Sequence, residues 1–301
     1  MKRKILTLVL AAILFLLSLG LTLYPVISNF VNQKYASEIH TAYQEVIEQT
    51  DNSELLKAHE LAVSYNRAIT PGSTTEEAYS QEALLAASED YDSQLNIGAD
   101  GIMGYVEIPK ISVNLPIYHG TGNDSLDRGV GHLLGSSLPV GGESTHAILT
   151  GHSGMATQKM FTDLEQLTIG DVFYLHILDE TLAYQVDNIK TVLPYDTSLL
   201  GVYSGEDYCT LVTCTPYGVN THRLLVRGTR IPYEEAEIIV EEIQQEEQPR
   251  SNWEEMYMLG IWLGVLAVLI VALIVIICLI VRNNRRARRR RRRRGGKYAK
   301  K

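Results

Sequence analysis

Cysteine is scarce in this 301-residue chain, with three in all: Cys209, Cys214 and Cys278. Cys209 and Cys214 lie five apart on one predicted strand, so they point to opposite faces. At ~3.3 Å per residue they are also too far apart to bridge. Cys278 falls in a long apolar run. A disulfide framework is therefore excluded, and an exported domain with free thiols fits a bacterial surface protein or thiol chemistry. No pair of Cys or His has zinc-ligand spacing, so no metal is expected, and no motif calls for a cofactor. Charge is absent from two runs, the 19 residues 5–23 and the 24 residues 258–281. Each is long enough to cross ~30 Å of hydrocarbon at ~1.5 Å per residue.

The middle of the chain is poor in bases. It carries all 35 acids against 11 basic residues, whereas residues 2–4 are all basic and residues 282–301 hold ten Arg, three Lys and no acid. Basic flanks outside both apolar runs place both termini in the cytoplasm and the acidic middle outside. The expectation is a two-pass cell-membrane protein with an extracellular domain. The first run lacks a small-x-small cleavage site, since Leu23-Tyr24-Pro25-Val26 follows it, so it reads as an uncleaved anchor. The tail is a topology signal that also attracts anionic membrane lipids by ~1 kcal/mol per charge. Nucleic acid is a poor partner, because the tail is low-complexity and the folded part is acidic.

Along the chain, residues 1–4 form a basic cytoplasmic end and 5–27 an anchor. Residues 28–72 read as helical, with Val31, Tyr35, Ile39 and Tyr43 at a helical period and Ser53 as the cap of a second helix. His40 and His59 are expected at the surface. Residues 73–101 are acidic and rich in Ala and Ser, a candidate segment to lie mobile over a surface, with a plain linker as the equal reading. Strand periodicity then takes over. Residues 104–108, 113–118, 147–150, 171–177, 182–192, 208–214 and 223–230 alternate between turn signals, which predicts an all-β barrel or sandwich. Residues 233–257 read as an acidic linker, 258–281 as a second membrane helix and 282–301 as a polybasic tail.

Three side chains could carry chemistry. Cys214 and His152 each close a predicted strand and Arg223 opens one, so all three can meet at one sheet edge. A thiolate is a strong nucleophile, and a nearby cation lowers the thiol pKa. Histidine can protonate a leaving amine, and the arginine fork can hold an oxyanion. By pattern alone a lone cysteine after a strand is more often a buried small hydrophobe. His222 and His132 are rival bases, with His119, His146 and His176 behind them; His222 adjoins Arg223 and so faces the other way.

Thr210-Leu211-Val212-Thr213-Cys214, Leu149-Thr150-Gly151-His152 and Asn220-Thr221-His222-Arg223-Leu224 together resemble the sortases. Gly104-Tyr105-Val106-Glu107-Ile108-Pro109-Lys110-Ile111 and Leu115-Pro116-Ile117-Tyr118-His119-Gly120 look like the class C, pilin-polymerising branch, as does the second membrane span. The resemblance covers about residues 28–232. It implies a closed sortase-type β-barrel of about eight strands over residues 102–232, with N-terminal helices and two flanking transmembrane helices. It further implies Cys214 as nucleophile, His152 as acid/base and Arg223 as oxyanion or substrate holder. Such an enzyme is a cysteine transpeptidase that cleaves a Leu-Pro-X-Thr-Gly-like signal, holds a thioester and passes the acyl group to a pilin lysine. The implied partners are pilins or other surface proteins carrying sorting signals. Two alternatives are carried: an enzyme that anchors proteins to a peptidoglycan precursor, and a non-catalytic membrane-anchored barrel. One departure stands out. No proline occurs between Pro71 and Pro109, so the Asp-Pro-aromatic lid motif usual in class C is missing. Glu77 with Tyr79, and Asp90 with Tyr91, are the acidic-aromatic pairs left as lid candidates.

Overall fold

Runs of β-branched and aromatic residues between turn signals become eight strands: β1 (Ile102–Ile108), β2 (Val113–His119), β3 (Val130–His132), β4 (Thr145–Thr150), β5 (Val172–Ile177), β6 (Glu180–Val192), β7 (Asp207–Thr215) and β8 (His222–Ile231). They close a barrel in the order β1-β2-β3-β4-β7-β8-β6-β5, which leaves no unpaired edge. This computed structural model describes residues 2–69, 90–155, 157–245 and 252–298. The barrel belongs to the unit Val26–Trp253; Met1–Pro25 with Glu254–Lys301 forms a second unit.

Seven strands follow the sequence reading, and β3 is the one it missed. Three residues with a central glycine are too few to show an alternating period. Gly131 is required there, because a Cβ would sit 2.3 Å from the Gly120 carbonyl oxygen where β3 runs parallel to β2.

The barrel interior is filled by alternate residues of each strand, among them Leu149, Phe173, Tyr184, Leu211 and Val226, all fully buried. Phe173 and Tyr184 stack with centroids 5.6 Å apart. A smaller cluster, Ile148, Leu200, Val212 and Leu225, forms a second apolar layer. Its β4 and β7 members are one residue out of phase with Leu149 and Leu211, which places it on the outer face.

Helix α1 (Lys2–Gln49) and helix α2 (Asn52–Ala68) supply the expected N-terminal helices. Tyr43 seats α1 on the barrel: its hydroxyl donates to the Met103 carbonyl at 3.2 Å and accepts from the Leu178 N–H at 2.9 Å. His40, expected at the surface, instead packs edge-on against Tyr105 at 4.0 Å. The cap of α2 is Asp51 and not Ser53; the Asp51 carboxylate accepts from the Ser53 N–H at 2.8 Å, the arrangement that satisfies an orphan donor of the first turn. Asn66 then ties α2 down, its amide donating to the Leu138 carbonyl at 3.0 Å and accepting from the Leu138 N–H at 2.7 Å.

A four-residue turn of helix, α3 (Asn123–Leu126), precedes β3. The stretch expected as an acidic linker holds helix α4 (Tyr233–Gln245). Its Ala236 is buried against Val172, Tyr174 and Ala183, so a small apolar residue among glutamates marks the packed side. Helix α5 (Asn252–Tyr298) contains Met258–Arg282, the one helix among the described residues long and apolar enough to span a membrane. The expected pair of spans is thus met by one. The other, residues 5–27, lies within α1, where the side chains of residues 5–10 fall outside the description.

Of the candidate lid segment 73–101, residues 90–101 lie against the barrel. Tyr91 and Leu95 are buried, Tyr91 within a single 3-10 turn, Tyr91–Ser93. Residues 70–89, with Glu77 and Tyr79, lie outside the described residues.

Candidate active site

Strand register brings the three sequence candidates to one edge of the barrel. Cys214 on β7 stands directly opposite Arg223 on β8. Directly paired residues of an antiparallel ladder project from the same face with Cα atoms ~4.5–5.5 Å apart. Strand β4 runs parallel to β7 with Thr150 beside Val212. The pairing continues one step past β4, since the Gly151 N–H donates to the Val212 carbonyl at 3.0 Å and the Thr213 hydroxyl donates to the Gly151 carbonyl at 2.8 Å. His152 therefore follows at the level of Cys214. Its own carbonyl accepts from the Phe161 N–H at 3.0 Å, so its backbone is held from both sides. Gly151 has to be glycine, because a Cβ would lie 2.7 Å from the Phe161 ring.

Cys214 shares its face with Val212, and Arg223 with Leu225, both members of the outer apolar cluster. The thiol is partly exposed beside an apolar floor. The Arg223 guanidinium is aimed by the loop before it, donating through Nη1 to the His222 carbonyl at 3.0 Å and to the Asn220 carbonyl at 3.4 Å. The His152 imidazole is a third exposed, and its Nε2 lies 3.9 Å from Asp127 Oδ1. That is an ion-pair distance and too long for a hydrogen bond. Asp127 precedes β3, and neither pattern nor spacing singled it out.

The rival groups are placed elsewhere. Cys209 faces the barrel interior, fully buried, and burial with the Asp207 carboxylate behind it pushes its thiol well above the ordinary range. His222 pairs with Thr215 across the ladder, one residue out of phase with Arg223. Burial pulls His132 down to about 4 and His146 down to about 4. His132 sits between the Tyr91 hydroxyl (2.8 Å) and the Ser137 carbonyl (2.8 Å). His146 sits between the Gly201 carbonyl (2.8 Å) and the Thr210 hydroxyl (2.7 Å). His119 contacts the carbonyls of Gly101 and Gln94, and His176 contacts Glu107 and Thr181.

Of the lid candidates, Asp90 is an exposed residue beside Tyr91. The Tyr91 hydroxyl accepts from the Gly120 N–H at 2.9 Å and meets His132. His132 pairs with His119 at the end of β2 and with Leu149, one residue back from Thr150. Tyr91 is thus a tether on the barrel wall at β2 and β3.

Comparison with known proteins agrees with this architecture. Residues 106–231 match the model of the sortase domain. Bacillus subtilis sortase D is 32% identical over 131 residues, 42% of this chain and 63% of that protein. Streptococcus agalactiae sortase A is 29% identical over 42% of this chain and 52% of its own length. The chain thus spans between half and two thirds of those two curated relatives. Among solved structures, sortase C1 of Streptococcus agalactiae superposes with a TM-score of 0.60 at 47% identity, covering 65% of this chain and 98% of that one. A sortase C of Streptococcus pneumoniae, described for its pilin substrate specificity, gives 0.58 at 44% identity over 65% and 97%. With a sortase-domain match across its barrel and a sortase C1 matched along nearly its whole length, this chain belongs to the sortase family.

Proposed function

We propose that the chain is a class C-type cysteine transpeptidase that joins pilin subunits, with Cys214 as nucleophile, His152 as acid/base and Arg223 as oxyanion holder. The observation that carries the reading is the direct cross-strand pairing of Cys214 with Arg223, with His152 at the same level just past the end of the neighbouring strand. An always-charged guanidinium beside a partly exposed thiol favours the thiolate. The thiolate attacks the carbonyl carbon before the scissile bond of a Leu-Pro-X-Thr-Gly-like signal. Negative charge develops on the carbonyl oxygen, where a guanidinium aimed by two backbone carbonyls stabilises it without having to reorganise. His152 protonates the departing amine, leaving a thioester on Cys214. A lysine amine of the next pilin then takes the acyl group.

The topology that goes with this reading is two-pass. Residues 5–27 and 258–281 cross the membrane, the barrel of residues 102–232 lies outside the cell, and the polybasic tail of residues 282–301 rests on anionic lipid at the inner face. Similarity to two class C enzymes at 47% and 44% identity supports pilin joining over anchoring to peptidoglycan. The test is Cys214→Ala with a sorting-signal peptide. Cleavage should fall by at least roughly 10³-fold; cleavage left intact ends the enzyme reading. Incubation with pilin should give a covalent ladder, which a wall-anchoring enzyme does not form.

A further inference from the structure

On the barrel end that carries His152, a cavity of about 500 Å³ lies between α1 and the barrel. Clefts of ~300–1,000 Å³ are the usual size for ligand sites, and this one is larger than a single lysine side chain needs. One wall is the stretch of α1 from Asn29 to His40. The other comprises the start of β2, the turn at Asp127 and the segment ending at Met160. The two walls are fastened together: Asn32 donates to the Thr157 carbonyl at 3.2 Å, and the Lys159 N–H donates to Asn29 Oδ1 at 3.3 Å. Across the same rim Gln158 donates to the Asp127 carbonyl at 2.9 Å.

Charge on the lining is unevenly matched. The Lys159 ammonium is 2.9 Å from Asp163 and also donates to the Ile111 carbonyl at 2.7 Å. Arg128 lies over the Tyr118 ring at 4.2 Å and donates to the Asp124 carbonyl at 2.8 Å. Both cations are thus engaged. The Asp127 carboxylate has His152 at 3.9 Å and no other side-chain partner among the described residues. His40, which also lines the cavity, has a buried Nε2 with no hydrogen-bond partner there. A carboxylate beside the acid/base residue, at the mouth of a cleft with apolar and polar lining whose two cations are already engaged, is suited to one kind of group. That group is a cationic amine carried on a peptide.

The geometry points to this cavity as the acceptor subsite, where a polypeptide segment lies against α1 and presents its lysine ammonium to Asp127. The inference rests on the transpeptidase reading above. The donor acyl group is held on Cys214, so the second substrate has to reach the thioester from another side. The cavity offers that side with the proton acceptor already in place. The ammonium first gives a proton to neutral His152. The freed amine attacks the thioester carbon, so a C–N bond forms, the C–S bond breaks and the Cys214 thiolate leaves. The second nitrogen proton passes to water at exposed Asp127. Thioester and ammonium become amide and thiolate, and His152 ends as the imidazolium that pairs with the thiolate for the next turnover.

The test uses acyl-enzyme already formed on the full chain from a sorting-signal peptide, so that the rate of acylation does not enter. The quantity read is the partition of that acyl group between water, a lysine-bearing pilin peptide and neutral hydroxylamine. Asp127→Asn should cut transfer to the lysine peptide roughly 10- to 100-fold, the cost of one charged contact, while hydroxylamine transfer relative to water holds. Ser37→Trp, which fills the α1 side of the cavity, should do the same; Asp127→Asn is near-isosteric and covers the case in which the tryptophan unfolds the domain. Unchanged lysine transfer in Asp127→Asn overturns the assignment. So does an equal fall with both nucleophiles, which would mean that Asp127 acts only on His152. Failure of the unaltered chain to form any acyl-enzyme is a different result, and it removes the transpeptidase reading itself.

Discussion

His152 and the pair His132 and His146 occupy the same barrel and live under opposite rules. A carbonyl oxygen only accepts, so the contact with Ser137 fixes the proton of His132 on Nε2 and makes Nδ1 the acceptor of the Tyr91 hydroxyl. By the same argument His146 carries its proton on Nδ1, toward Gly201, and accepts from Thr210. Each ring is buried, neutral and used at both nitrogens. His152 is a third exposed, with one loose ionic contact. An acid/base group has to exchange protons with substrate and solvent, and only the second arrangement leaves that open. The lesson is that ring-nitrogen partnership marks His132 and His146 as structural and leaves His152 free for the role proposed for it.

The sharpest way to break this contrast is to remove each ring in turn. His152→Ala should lower cleavage of a sorting-signal peptide by roughly 10²–10⁴-fold with little change in melting temperature. His132→Ala should do the reverse, lowering the melting temperature while the folded fraction keeps its rate per molecule. If His132→Ala costs as much activity at full folding, the division fails. Arg223→Lys extends the comparison to the cation. It keeps the charge and loses the fork aimed by the Asn220 and His222 carbonyls, so kcat should fall by about 10²-fold with a smaller change in KM.

The meeting of Cys214, Arg223 and His152 at one edge was legible in the sequence because β ladders obey a two-residue period, whereas the roles proposed for them came only with the resemblance to the sortases. Five residues separate Cys209 from Cys214, which alone fixes that one faces in if the other faces out. Adjacency removed His222 in the same way. What the sequence did not yield was contact between distant segments without a period of its own. Asp127 reaches His152 from a turn before β3, and β3 is too short to show an alternating pattern. His40 looked like a surface position because helical periodicity gives a face and not its neighbour; that neighbour, Tyr105, comes 65 residues later. The linker after residue 232 hid α4 because its glutamates drew the eye from Ala236, Ile239 and Val240, an i, i+3, i+4 set that packs on the barrel.

Acid should separate the two kinds of histidine again, with a smaller effect. His132 and His146 are each held at about 4 by burial, against an ordinary value near 6.5. The unfolded chain therefore takes up protons in the window between those values while the folded barrel does not. Stability is full above about pH 6.5 and is lost as pH falls toward 4, by on the order of 3 kcal/mol for each ring. Denaturant titrations from pH 7 to 4.5 should show that decline, and His132→Gln should make it shallower. A slope unchanged by that replacement would mean that carboxylates alone govern the acid limb.

The mildest probe is Tyr91→Phe. It removes one oxygen and leaves the ring packed among Tyr65, His119 and His132. The Gly120 N–H then loses its acceptor and His132 Nδ1 loses its donor, so a half-buried and a fully buried group are left unsatisfied. The expected cost is about 1–3 kcal/mol of stability. Because Tyr91 is a tether on the β2–β3 wall, the acylation rate at Cys214 measured below the melting transition should stay at the unaltered value. An acylation rate that rises while stability hardly moves would sharpen the picture differently. It would mean that the acidic-aromatic pair at Asp90 and Tyr91 serves as a latch in a chain without the Asp-Pro-aromatic motif.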